Sequence, residues 1–147
     1  MKRAHSRGSR GSVLVEFAIA LPLMVTILLV VVDLGIAIRE HQILQNAARE
    51  GARFSSLPAN WINPANPTAT ADSIKQVVVT YMAQENITVD SGQITVDQQY
   101  PIKVGSLTVS GSHVTVTYTR PLTIAGVALL PFSQITLTGQ SIFRNLY

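Results

Sequence analysis

The chain has 147 residues, 47% of them hydrophobic and 13% charged, a balance that fits one small domain attached to a membrane better than a freely soluble protein. Its net charge of +3 is uneven: four of the eleven basic residues lie in Met1–Gly11, which has no acid, and the rest carries seven basic against eight acidic groups. A basic surface for nucleic acid is therefore unsupported, and with no cysteine neither disulfides nor thiolate metal sites can form.

Lys2, Arg3, Arg7 and Arg10 lead into an apolar run whose stretch from Phe17 to Val32 is free of charge and interrupted only by Pro22 and Thr26. Counted from Val13, these twenty residues make about 30 Å of helix, enough to cross a bilayer core. The basic flank predicts an N-terminus on the cytoplasmic side and a C-terminal bulk outside. Glu16 is the lone acid within the span. A carboxylate there is costly unless paired, which makes it a functional candidate. Pro22 removes one backbone hydrogen bond, so a kink or loosening is expected, a defect that neighbouring subunits can cover. Asp33 ends the charge-free run and reads as the outer boundary. Two alternatives stand beside this reading: a plain uncleaved anchor, and a secretory signal cut near the small-x-small triplet Gly35-Ile36-Ala37.

Beyond the span, Ile36, Ile43, Leu44, Ala47, Ala48, Gly51 and Ala52 recur with a period near 3.6, and no proline intervenes before Pro58. One helix from Ser12 to Arg53, 42 residues and about 63 Å, is expected. The pairs Ala47/Gly51 and Ala48/Ala52 form a small-residue seam suited to close packing, expected within the chain, with a second helix as the alternative. Turn signals from Ser55 to Thr68 predict a loop in which Trp61 anchors to the domain or to the bilayer edge. Asn66-Pro67 can cap a second helix whose face is Ile74, Val77, Val78, Tyr81 and Met82, ending near Asn86. Thereafter the period is two: Ile94/Val96, Leu107/Val109, Val114/Val116/Tyr118, then Ile135/Leu137 and Phe143, with Ser110-Gly111-Ser112 read as a hairpin turn. The apolar connection Leu122–Leu130 is too short to span a membrane and is expected under the sheet or at the membrane surface. The expected fold class is α+β, with a long N-terminal transmembrane helix continuing outside, a second amphipathic helix and an antiparallel sheet of three to five strands.

Nothing in the sequence reads as an active site. His5, His41 and His113 are scattered, Glu40 and His41 are neighbours that do not share a helix face, and Asp72, Glu85, Asp90 and Asp97 are isolated. Asn86-Ile87-Thr88 matches a glycosylation acceptor, a pattern common by chance. The expectation is a protein that is no enzyme, with no cofactor, no metal and no small-molecule substrate.

The run Arg10-Gly11-Ser12-Val13-Leu14-Val15-Glu16-Phe17 resembles the processing site of type IV prepilins, and most closely the TadE-like pseudopilins of the tight-adherence (Flp) pilus system. The likeness continues through Ala18-Ile19-Ala20-Leu21-Pro22 and again in Gln45–Arg53, and covers roughly residues 8–55. It implies a leader of residues 1–11 removed after Gly11 by an aspartic prepilin peptidase, with Ser12 as the new N-terminus and Glu16 fifth from it. It also implies a helix over 12–54 with membrane residues from Val13 through Phe17 and Pro22 to Val32, and an extracytoplasmic domain over 55–147. Glu16 and Phe17 would then serve subunit assembly, Glu16 pairing with the Ser12 amine of a neighbour. The implied partners are the lipid bilayer, other pilin and pseudopilin subunits and the pilus assembly platform. The implied place is the bacterial cytoplasmic membrane, single-pass, N-terminus inside, with passage into a pilus open. A membrane-anchored binding protein unrelated to pili is the rival reading.

Overall fold

The computed structural model describes residues 9–62, 67–121, 123–124, 127–128 and 134–146. The expectations for Lys2, Arg3, His5 and Arg7, for the Asn63-Pro64 turn and for the Asn66 cap lie outside the described residues, as do most of those for Leu122–Leu130.

Helix α1 runs from Ser9 to Ser55, 47 residues and about 70 Å, through Pro22 without a break. Along its first half every described side chain is exposed or nearly so. Burial begins at Asp33 and recurs at Ala37, Ile43, Leu44, Ala47, Ala48, Gly51, Ala52 and Ser55. This spacing of three and four puts all of them on one face. Helix α2, Pro67–Gln84, lays Ile74, Val78 and Met82 against that face, with Val77 and Tyr81 half-buried beside them. Just past its end at Gln84, Asn86 has a left-handed φ of 61°, and the Ile87 amide donates back to the Met82 carbonyl at 3.0 Å. That is a helix stop of the Schellman kind, with asparagine where glycine is commoner.

The main sheet has the order β1 (Ile94–Val104), β2 (Leu107–Pro121), β5 (Gln134–Arg144), all antiparallel. A separate two-stranded hairpin, β3 (Thr123–Ile124) and β4 (Val127–Ala128), lies in the connection between β2 and β5. The chain is thus α+β, as the sequence predicts, and the three-residue turn expected at Ser110-Gly111-Ser112 is corrected. Those residues lie within the continuous strand β2. The turn is at Gly105-Ser106, where Gly105 adopts a left-handed φ of 62° at the first position of a two-residue hairpin. Gly111 is small for a different reason: a Cβ there would strike the Ile102 side chain and come within 2.8 Å of the Phe143 carbonyl.

Three contacts set how α1 lies on the sheet. Asp33 meets Arg120, which pairs with Ile135. Leu44 crosses Gly139 so closely that a Cβ on the glycine would overlap the Leu44 carbonyl and approach the Gln45 amide to 2.8 Å. Ser55 hydrogen-bonds Ser112, which pairs with Phe143. Helix and β5 therefore run side by side in one direction, with Arg120 and Ile135 at the end nearest the exposed half of α1.

At the far end a polar knot closes the domain. Between Asp97 and Tyr100 the β1–β2 register shifts, which aims Gln98 inward. Its amide nitrogen donates to the carbonyls of Ser55 and Asn60, at 2.9 and 2.8 Å, and its oxygen accepts from the Ile62 amide at 2.7 Å. Ser112 donates to Asn145, and Asn145 donates to the Gln98 carbonyl. The Ser55 carbonyl at the end of α1 is thereby satisfied from the sheet, while the Arg53 and Phe54 carbonyls before it accept from the Ser56 hydroxyl and the Asn60 side-chain amide of the following loop. Trp61 borders Val96 and Gln98 at this end, so it anchors the loop to the domain.

Candidate membrane and assembly segment

The segment to be judged is the exposed half of α1. Its most apolar 18-residue window has a mean hydropathy of 2.7, and none of that window is buried by the rest of the chain. Val13, Phe17 and Val32 all stand exposed along it. This is a helix long and apolar enough to cross a membrane. Pro22 lies inside it and leaves the Ala18 carbonyl without its usual helical donor, while the Thr26 hydroxyl donates to the Pro22 carbonyl at 2.8 Å. That bond satisfies the Thr26 hydroxyl itself within the helix, without water, by back-bonding to the carbonyl four residues earlier.

Gly11 and Ser12 sit within the helix, two and three residues after its start at Ser9. A Cβ on Gly11 would meet nothing within 4 Å. Nothing among the described residues therefore requires a glycine there. Glu16 is exposed on the apolar surface and has no ion-pair or hydrogen-bond partner among the described residues. Phe17, exposed by 59%, lies beside it on the same uncovered surface. The seam residues Ala47, Ala48 and Ala52 are fully buried, and Gly51 is packed so tightly that a Cβ would lie 2.5 Å from Val78 of α2 and 3.4 Å from Val114 of β2. The seam is thus occupied by the chain's own second helix and sheet.

Where the helix meets the domain, three charges gather. Arg120 and Asp33 are both buried, with the guanidinium 2.5 Å from the Asp33 carboxylate. Glu40, two turns further along α1, lies 3.3 Å from the other guanidinium nitrogen, at an angle that makes no hydrogen bond. Asp33 is therefore a docking residue turned toward the sheet, whereas sequence alone reads it as a boundary marker. Arg120 carries no local signal. Outside this group, Arg39–Glu85 and Arg53–Glu50 are exposed pairs. The Glu50 hydrogen bond, then its charge, raises the pKa of Arg53. His113 stacks obliquely on Tyr100 at 4.7 Å, and His41 borders a shallow apolar groove with Leu34, Ile135 and Leu137. Among the described residues no set of three or more His, Asp or Glu could hold a metal ion.

α1 is thus a membrane-length helix, exposed over its first half, with one acid near its start and a small-residue seam at its far end. Residues 11–53 match the family of TadE-like proteins. The match begins at Gly11 and ends where the seam ends, so it covers the apolar half and the packed half of α1 together. No curated protein and no solved structure matches the chain. The TadE-like segment is thus the part of the molecule that relates it to known proteins, and the α2 and sheet layers are what it carries.

Proposed function

We propose that the chain is a pilin-like subunit of the tight-adherence pilus, made as a precursor and cut after Gly11 by an aspartic prepilin peptidase. The family match ties residues 11–53 to components associated with that pilus. The observation that carries the finer reading is Glu16, a carboxylate on an otherwise apolar and uncovered helix surface, with no partner among the described residues. A carboxylate in hydrocarbon is costly until it is neutralised or paired. Cleavage after Gly11 creates an amine at Ser12, about 6 Å of helix rise from Glu16. On one helix that amine points along the axis, away from the side chain. A neighbouring subunit displaced axially by a similar step brings its own amine to the carboxylate, which sets register as well as affinity. In this reading residues 1–11 are a cytoplasmic leader, 12–54 the membrane and outer helix, and 55–147 an extracytoplasmic domain. The role is structural and the bilayer, the peptidase, other subunits and the assembly platform are the partners.

The mature N-terminus tests it. N-terminal sequencing of membrane-extracted protein, from cells with an active prepilin peptidase, should begin at Ser12. A start at Met1 favours the anchored binding protein, and a start between Asp33 and Arg39 a secreted one. Gly11→Val should retain residues 1–11 by intact mass and leave the fold unchanged, since the added atoms meet open space.

A further inference from the structure

The segment Leu122–Phe132 has no charged residue and eight hydrophobic ones among its eleven. Its ends are fixed by the sheet: β2 delivers it at Pro121 and β5 recovers it at Gln134, which pair with each other. Both lie one residue from the Arg120–Ile135 pair, level with Asp33 of α1. Within the segment, Thr123 pairs with Ala128 and Ile124 with Val127, and β3 lies against α1. An uncharged hairpin is thus held beside the helix, at the end of the domain nearest the membrane-length half of α1.

A second observation concerns α1 itself. Asp33 does not end the apolar surface, because its charge is buried against Arg120. Leu34, Ile36 and Ile38 continue that surface, exposed by 58%, 46% and 53%. The first exposed charge beyond Glu16 is Arg39, six residues or about 9 Å past Asp33. From Val13 to Ile38 the apolar surface measures about 39 Å, against roughly 30 Å for a hydrocarbon core. The surplus is about 9 Å, which matches the depth of roughly 5–10 Å to which apolar faces sink at the headgroup boundary.

We propose that Leu34, Ile36, Ile38 and the β3–β4 hairpin form a lipid-facing rim that seats the domain in the outer leaflet of the bilayer crossed by α1. This rests on the membrane-anchor reading of α1. The occupant is lipid because Leu34, Ile36 and Ile38 continue the apolar surface of the membrane-length helix, and the hairpin, uncharged in sequence, is held at their level on the same helix. The buried Asp33–Arg120 pair fits the same picture, since two charges at that depth are shielded from the bilayer by facing each other.

Single tryptophans introduced into a Trp61→Phe background report each level by quenching in nanodiscs, with phosphatidylcholine brominated either near the headgroup end or near the chain terminus of its acyl tails. Leu28→Trp, inside the span and about 6 Å from its outer end at Val32, should be quenched by deep bromine more than either hairpin probe. Ile124→Trp and, as a second probe of the same hairpin, Val127→Trp should each lose at least half their emission to shallow bromine and little to deep bromine. Leu107→Trp, at the far tip, should be unaffected. If Leu28→Trp is quenched while both hairpin probes are not, the anchor reading holds and the rim is overturned. Water-exposed emission then places the hairpin in solvent, and blue-shifted emission places it under protein, its own domain or another subunit. If Leu28→Trp is not quenched, the anchor reading falls and the rim with it.

Discussion

Replacing Arg120 by methionine should destabilise the domain strongly while leaving its backbone alone. The substitution keeps an apolar stem of similar length and removes the cation that, among the described residues, faces Asp33 and Glu40, whose side chains are 10% and 17% exposed. A buried charge that loses its partner costs about 3–5 kcal/mol, whereas an exposed pair is worth at most about 1 kcal/mol. With a urea slope of about 1–2 kcal/mol/M for a domain of this size, the midpoint should fall by roughly 2–4 M. The assay is urea unfolding of the full chain in nanodiscs, followed by the emission of Trp61, which borders Val96 and Gln98 and so reports the outer domain. Adding Asp33→Leu to Arg120→Met should recover most of the loss, and adding Glu40→Gln should recover more. A loss below about 1 kcal/mol for Arg120→Met refutes the reasoning, since the pair then behaves as an exposed one. A double variant no better than the single would assign the loss to packing of the arginine stem rather than to charge.

Gly139→Ala should cost about 1–3 kcal/mol or more, because the new methyl meets the backbone of Leu44 and Gln45, which has no rotamer to yield; thermal unfolding in nanodiscs checks it. Gln98→Leu leaves the Ser55 and Asn60 carbonyls and the Ile62 amide without their partner, at about 1–3 kcal/mol per buried group lost, and hydrogen exchange should quicken first at the end of α1. Glu16→Gln should insert and lose residues 1–11 yet co-purify poorly with other pilus subunits, as a pulldown would read; normal co-purification would reduce Glu16 to a tolerated acid.

Local periodicity carried much of the fold. Ile74, Val78 and Met82 announce the buried face of α2 because a helix repeats its inward positions every three or four residues, and Ala47, Ala48, Gly51 and Ala52 announce a close approach by their size alone. The partner of that approach was less legible, since Val78 and Val114 are distant in sequence and no different from other valines. The Asp33–Arg120 pair spans 87 positions, and nothing beside Arg120 marks it as inward. Gln98 reads as a polar residue of an alternating strand, and only the register shift between Asp97 and Tyr100 turns it into a cap for α1. Ser110-Gly111-Ser112 reads as a turn because small polar residues serve two purposes. Here they admit Ile102 and bond Ser55 and Asn145, while Gly105 makes the turn.

The side-by-side course of α1 and β5 also has a mechanical meaning. Tension applied between the apolar end of α1 and the far end of β5 acts along the helix axis. The contacts at Asp33–Arg120, Leu44–Gly139 and Ser55–Ser112 lie in file along that axis, so tension divides among them in shear. The last residues are sewn in at the loaded end, where the Leu146 amide donates to the Ser56 carbonyl and the Asn145 amide to the Ser110 carbonyl. Peeling would break such links one after another at low force, whereas shearing must break them together. The layout that positions the helix on the sheet thus makes the domain a lap joint, strongest along the axis of α1.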